Sequence, residues 1–248
     1  VTMLNAALKI VDQNPLGSAA GYGSSFPINR TFTTEELGFE TLKFNSVAAQ
    51  MSRGKSEKTV AFAMSSVAAT LSKFAMDVCL YMSQNFDFIS LPAHLTTGSS
   101  IMPHKKNPDV FELIRGKCNK IQALPYEITL ITNNLPSGYH RDLQLLKEGL
   151  FPAIQNLKAC LDIAIFSIKD IKVKDNILAD KKYNYLFTVD TLNEMVVAGI
   201  PFRDAYKAVA EQLENGSFQS PKETKHTHEG SINNLCLEAI KEKMKRSY

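Results

Sequence analysis

Cysteine is scarce in this sequence and poorly spaced for any bridge. Its four cysteines, Cys79, Cys118, Cys160 and Cys236, lie far apart, which argues against a disulfide frame or a zinc site and for reduced thiols buried in the core of a cytoplasmic protein. Charge is nearly balanced: 28 Lys and Arg against 25 Asp and Glu leave a formal +3. No basic arm or stripe accompanies that small excess, so nucleic acid is not an expected partner. No apolar run reads as a membrane span and no signal-peptide pattern is visible, so a membrane is not expected either. There is no glycine-rich strand-to-helix turn and no lysine in a Schiff-base context, and no cofactor is expected. His226 and His228 in "KHTHEG" lack a further ligand at useful spacing, so that stretch reads as a polar loop and no metal is expected. Strand patterns, internal repeats and low-complexity tracts are all but missing.

Helical periodicity is plentiful. Val60, Met64, Val67, Leu71, Phe74, Val78 and Tyr81 alternate steps of four and three, placing them on one face of a long helix. A second run takes Phe111, Ile114, Cys118 and Ile121 past Pro125 to Ile128 and Ile131. A third takes Leu143, Leu146, Leu150, Ile154, Leu157, Leu161, Ile165 and Ile168 past Pro152. Each proline removes an amide donor and crowds the preceding turn, so both helices are expected to kink. Three long amphipathic helices with short polar joints predict an all-α fold, an up-and-down bundle whose apolar helices continue into partner subunits.

The pattern shortens near Asp180. One helix is expected from Tyr185 to Ala198, ending at Gly199, and another begins at Pro201 in "GIPFRDAY". The polar stretch "ENGSFQSPKETKHTHEGS" precedes a last helix, Ser231 to Lys245. Residues 1–180 are therefore read as the central bundle, and 181–248 as a small C-terminal helical domain. Val1 already stands in an apolar-rich segment, so the sequence is expected to be part of a longer protein.

The chemistry gathers in "TTGSSIMPHKKNPDVFELIRGK", residues 96–117. Asn107-Pro108-Asp109 reads as a helix start, with Asn as cap, Pro in the first turn and Asp at the positive dipole end. Gly98, Ser99 and Ser100 read as a flexible turn. Lys105 and Lys106 beside unpaired helix-end amides form a place for a carboxylate or phosphate. Taken singly, these residues also suit a solvated loop before a well-made cap.

"GSSIMPHKKNP" resembles the aspartase/fumarase signature G-S-S-x-M-P-x-K-x-N-P at every specified position. Flanking stretches narrow the resemblance. "NPLGSAAGYGSSFPINR" (14–30) is similar to the P-L-G-x-x-A-x-x-G loop of argininosuccinate lyases. "LPSGYHRDLQLLKE" (135–148) is similar to their L-P-x-x-Y-N-x-D-L-Q-E-D-K-E segment, and "GIPFRDAY" to their G-x-P-F-R-x-A-H. The likeness covers nearly the whole sequence, in order, with the eye-lens δ-crystallins as sister proteins. There are departures. His104 stands where Gln is common and His140 where Asn is usual, while Leu145-Leu146 replaces an acidic pair. "NSVAAQMSRGK" lacks the aspartates of N-S-x-D-x-x-S-x-R-D, leaving Arg53 only loosely matched.

The resemblance implies cleavage of argininosuccinate to arginine and fumarate, by proton abstraction and carbon–nitrogen elimination. It makes Ser99 the base and Lys105 the stabilising cation, with Ser100, Asn107, Tyr139, Gln144 and Lys147 contacting substrate. Each has a plain alternative: a turn hydroxyl for Ser99, a cap for Asn107, packing for Tyr139, a solvated helix face for Gln144 and Lys147. The resemblance further implies a homotetramer with sites shared between subunits. It places the general acid on a threonine–histidine segment upstream of this sequence, so the span alone is expected to be inactive. A different fumarate-releasing member, such as adenylosuccinate lyase, and a non-catalytic δ-crystallin-like structural protein are the alternatives.

Overall fold

The computed structural model describes residues 1–102, 104–221 and 226–246, which form two compact units, Val1–Val173 and Lys174–Arg246. In chain order the first unit contains α1 (Thr2–Val11), β1 (Gln13–Asn14), α2 (Arg30–Glu36), β2 (Thr41–Leu42), α3 (Ser46–Met51) and α4 (Lys55–Tyr81). Next come β3 (Ile89–Ser90), β4 (Thr97–Gly98), β5 (Lys106–Asn107), α5 (Asp109–Thr132), α6 (Leu146–Ile168) and β6 (Lys172–Val173). The strands are two residues long and pair as β1 with β2 (parallel), β3 with β6 and β4 with β5 (both antiparallel). They fasten connections and form no layer of their own. Helices α2 and α3 start on asparagine caps: Asn29 accepts the Phe32 amide at 3.0 Å, and Asn45 accepts the Ala48 amide at 2.8 Å.

Helices α4, α5 and α6 form the bundle and share one apolar core. On α5 the expected stripe is the buried one: Phe111, Ile114, Cys118, Ile121 and Ile128 all point inward. Phe111 meets Phe74 of α4 edge-to-face, with ring centroids 5.9 Å apart. Truncating a fully enclosed ring of this kind typically costs about 3–5 kcal/mol. Both prolines lie inside their helices, Pro125 in α5 and Pro152 in α6, and neither helix is interrupted.

On α4 and α6 part of the expected stripe is buried, Met64, Leu71 and Val78 on one and Leu146, Leu150 and Leu157 on the other, and small residues beside it share the interior. The innermost residues of α4 include Ala61, Ala68 and Ala75, all fully buried, while Val60, Val67 and Phe74 are half-buried. On α6, Ala153, Cys160, Ala164 and Ser167 face inward, and Ile165 and Ile168 are exposed. Small side chains occupy the lines where helices approach most closely, because interiors are filled to crystal-like density. Phe151, Ile165, Phe166 and Ile168 form a second, outward face of α6, while Leu146, Leu150 and Leu157 are in the core. Leu143 belongs to a separate 3-10 turn, Arg141–Gln144, ahead of α6.

Two helical stretches, Lys55–Tyr81 and Arg141–Ile168, are long and apolar enough to cross a membrane by length and composition. This corrects the reading that no run reaches that length; polar residues scattered through both stretches hide it from a scan for unbroken runs. Both supply bundle core here.

The second unit holds α7 (Thr188–Val197), α8 (Phe202–Glu214) and α9 (Leu237–Lys245). Leu192, Ala205 and Val209 form a small core of their own. Gly199, at φ +96°, turns the chain after α7. Pro201 is the N-cap of α8, and not its first helical residue. The last helix starts later than the expected Ser231, because residues 231–236 form a tight polar turn with a bridge between Ser231 and Asn234. His226 pairs with Asp190 at 2.5 Å in this unit. Of the polar stretch ahead of that turn, residues 222–225 lie outside the described residues.

Cys118 and Cys160 are buried as expected, whereas Cys79 and Cys236 are only half-buried; Cys236 lies in the polar turn before α9, apart from either core. All four thiols are free. Burial, reinforced by neighbouring Cys160, pushes the Cys118 thiol up to about 12.

Candidate active site

The signature stretch folds back on itself. Thr97 pairs with Asn107 and Gly98 with Lys106, so β4 and β5 close an antiparallel hairpin directly before α5. The Thr97 hydroxyl hydrogen-bonds Asp109, the first residue of α5, tying the hairpin to the helix start. Inside the hairpin the Lys105 amide donates to the Met102 carbonyl at 3.0 Å. Pro103 of the signature lies outside the described residues.

Ser99 is half-buried in this loop. Its Oγ accepts the backbone amides of Ile101 at 3.2 Å and Met102 at 3.0 Å. Turn-forming serines commonly accept amides two and three residues on, and the two N–H dipoles also favour negative charge on the oxygen. Ser100, Lys105 and Lys106 are exposed on the same hairpin. The loop therefore presents a hydroxyl, two ammonium groups and a helix N-terminus within a dozen residues, a setting for an anion.

Asn107 is not the cap expected of it. It lies in β5, half-buried and paired with Thr97; Pro108 holds the N-cap position, with no side-chain cap among the described residues. The Pro108 carbonyl takes the amides of Phe111 and Glu112. Once hairpin pairing fixes Asn107 as extended, the helix can only begin beyond it.

The second stretch, 135–147, leads from α5 into α6. Gln144 Nε2 donates to the Tyr139 hydroxyl at 3.2 Å, so two of the expected contact residues meet directly. Tyr139, Gln144 and Lys147 are exposed, whereas Leu143 and Leu146 between them are buried. A ring nitrogen of His140 lies 2.8 Å from the Pro136 carbonyl, closing the turn before Tyr139. A Cβ on Gly138 would stand 3.1 Å from the Tyr22 hydroxyl, which brings the 14–30 loop close to this segment. That loop is knitted by Arg30, whose guanidinium donates to the carbonyls of Leu16, Lys43 and Phe44 at 2.8, 2.8 and 2.9 Å.

Sequence reading missed two of these groups. Arg30 ends the quoted loop, but nothing in its spacing shows that it binds three carbonyls. Arg53, only loosely matched to the family pattern, donates from Nη2 to the Leu143 carbonyl at 3.0 Å across 90 residues. Local patterns carry no trace of such a contact. Among the described residues, no group of three or more His, Cys, Asp or Glu is arranged to hold a metal ion.

The bundle is a known one. It aligns with class II fumarase from Schistosoma mansoni at a TM-score of 0.71 and 17% identity, covering 98% of this chain and 51% of that one. That likeness shows the fold, a helical bundle of the same kind. In sequence, a family model described as lyase matches residues 1–123. The chain is 60% identical to argininosuccinate lyase of Parabacteroides distasonis over 238 residues, covering 96% of the chain and 53% of that protein. It is 57% identical to argininosuccinate lyase of Bacteroides fragilis over 244 residues, covering 98% and 55%. It spans about half the length of these curated relatives. Over that span, the chain is similar to argininosuccinate lyases.

Proposed function

We propose that this protein is a carbon–nitrogen lyase that cleaves argininosuccinate to arginine and fumarate. The observation that carries the reading is the 60% identity to an argininosuccinate lyase across 96% of the chain, signature hairpin included. The proton to be removed sits beside a carboxylate and is very weakly acidic, so the base must be strong and the resulting charge must be held. Ser99 acts as base: the Ile101 and Met102 amides on its Oγ favour the alkoxide. Lys105, with the nearby amides, stabilises the carbanion as a doubly charged carboxylate; preorganised charge of this kind is usually the largest catalytic contribution. As the carbon–nitrogen bond breaks, the electron pair leaves with nitrogen, which must then be protonated by a general acid.

Ser100, Asn107, Tyr139, Gln144 and Lys147 bind and orient substrate in this proposal, with the Gln144–Tyr139 hydrogen bond holding two of them together. The protein works in the cytoplasm in arginine biosynthesis, without a cofactor. It assembles as a homotetramer with sites shared between subunits. The exposed apolar residues of α6, Phe151, Ile165, Phe166 and Ile168, support a subunit interface on that helix. The test is to offer argininosuccinate and adenylosuccinate separately to the protein at the full length of its relatives, general-acid segment included, and follow fumarate absorbance. Turnover of argininosuccinate alone supports the proposal; turnover of adenylosuccinate alone, or of neither, refutes it.

A further inference from the structure

We propose that Arg53 is a positioning residue that fixes the 139–147 segment through the Leu143 carbonyl, and so sets substrate affinity without touching substrate. Its reference to substrate rests on the lyase reading above.

Arg53 is anchored before it reaches Leu143. Its Nε donates to Glu57 Oε1 at 3.1 Å, and the other Glu57 oxygen accepts the Gly54 amide at 2.6 Å. Glu57 is in the first turn of α4, where its charge also suits the helix dipole. The side chains of Arg53 and Glu57 are 31% and 19% exposed, so water competes only partly for the pair. The junction is pinned from the other side as well. Gly54 has φ +80°, and a Cβ there would stand 2.4 Å from Thr132 Cγ2 in the last turn of α5. A guanidinium held in this way has lost its rotamer freedom before it binds the carbonyl, so little entropy opposes the contact.

What it holds matters for the proposed site. Leu143 is in the Arg141–Gln144 turn, with its side chain in the bundle core. Arg53 fixes the backbone of the same residue at 3.0 Å, and the next residue, Gln144, bonds the Tyr139 hydroxyl. The core alone would set the depth of the turn; the added carbonyl contact sets its orientation. The hairpin carrying Ser99 and Lys105 is held by its own pairing and by Asp109. Arg53 should therefore act on binding and leave the chemical step alone.

The experiment compares Arg53→Gln, Arg53→Lys and Glu57→Gln with the unaltered protein, by steady-state kinetics and by hydrogen exchange of amides 139–146. Arg53→Gln should raise KM for argininosuccinate by about tenfold, the usual worth of a charge-assisted hydrogen bond. It should leave kcat within about twofold and speed exchange at 141–145. Arg53→Lys should recover part of the KM effect, and Glu57→Gln should show a smaller one. Unchanged KM with unchanged exchange overturns the proposal. So does a loss shared equally by kcat and thermal stability that lysine does not rescue, since that is a purely structural role. If the protein at the full length of its relatives fails to cleave argininosuccinate, the lyase reading fails by itself, and exchange decides the positioning role: faster at 141–145 in Arg53→Gln upholds it, unchanged overturns it.

Discussion

The two stretches proposed to carry the chemistry are held in place in opposite ways. The 97–109 hairpin is local: two strand pairs, a threonine–aspartate tie and two amides on Ser99 all come from within it. The 135–147 segment is fastened from a distance, by Arg53, by the approach of Tyr22 to Gly138 and by Leu143 and Leu146 in the core. A self-contained loop can be exposed and still keep its oxygen and amides in register. A segment held by remote groups inherits its geometry from the whole bundle. Damage to the first should show in the chemical step, and damage to the second in binding or stability.

The sharpest break in the comparison is Ser99→Ala. If the hydroxyl is the base, kcat should fall by about 10⁴-fold, the upper range for a lost general base, while substrate still binds in equilibrium titration. A near-normal kcat would remove Ser99 from the mechanism and reduce the Ile101 and Met102 amides to turn geometry.

That asymmetry also explains what the sequence made legible. The signature residues could be singled out because they lie within a dozen positions of one another, but their pairing into a hairpin was not visible in a stretch that reads as a flexible turn. The bundle could be read from its periodicity: on α5 the residues at helical spacing, Phe111 and Ile114 among them, are the innermost, while the off-register Leu113, Tyr126 and Leu130 are exposed. On α6 the same reasoning chose Ile165 and Ile168, which are exposed, over Ala164 and Ser167, which are buried. Size indicates burial only where a helix has one apolar side. A helix with two needs its small residues at the close approach, and hydrophobicity alone cannot tell the faces apart. Asn107 misled for a related reason. Asn-Pro-Asp is a sound helix start, but pairing with Thr97 claimed the asparagine first. The Arg53–Leu143 contact spans 90 residues and leaves no local pattern at all.

Lys105→Met comes next in size. Removing one preorganised cation should lower kcat by about 10²–10³-fold. Lys106, whose backbone is paired with Gly98, offers the control. Lys106→Met should cost less than about fivefold, the scale of an exposed charge screened by water. Equal losses would mean that the lysines act as a diffuse positive patch, and the hairpin would lose its claim to fixed geometry.

Gly54→Ala tests the remote fastening without touching any proposed contact. The new Cβ meets Thr132 Cγ2 at 2.4 Å on a backbone at φ +80°, so both packing and conformation are strained. Such strain costs about 1–3 kcal/mol of stability, and for a chain of this size each kcal/mol lowers Tm by roughly 2–4 °C. Differential scanning calorimetry checks the shift. An unchanged Tm would show that the α4 junction yields freely, and with it the anchoring of Arg53.

The smallest effect is the most discriminating. Gln144→Ala removes the donor to the Tyr139 hydroxyl, and Tyr139→Phe removes the acceptor. Each should raise KM for argininosuccinate by about fivefold, matching roughly 1 kcal/mol for one neutral hydrogen bond at a partly solvated site. Because the two groups bond each other, the double variant should cost little more than either single one, a coupling expected only between residues in contact. If the effects instead multiply to about 25-fold, as independent sites would, the residues meet substrate separately. The hydrogen bond would then be a feature of the free segment that substrate breaks. Additivity would place the organisation of this segment wholly in its remote ties, while coupling would give it a local element of the kind that governs the hairpin.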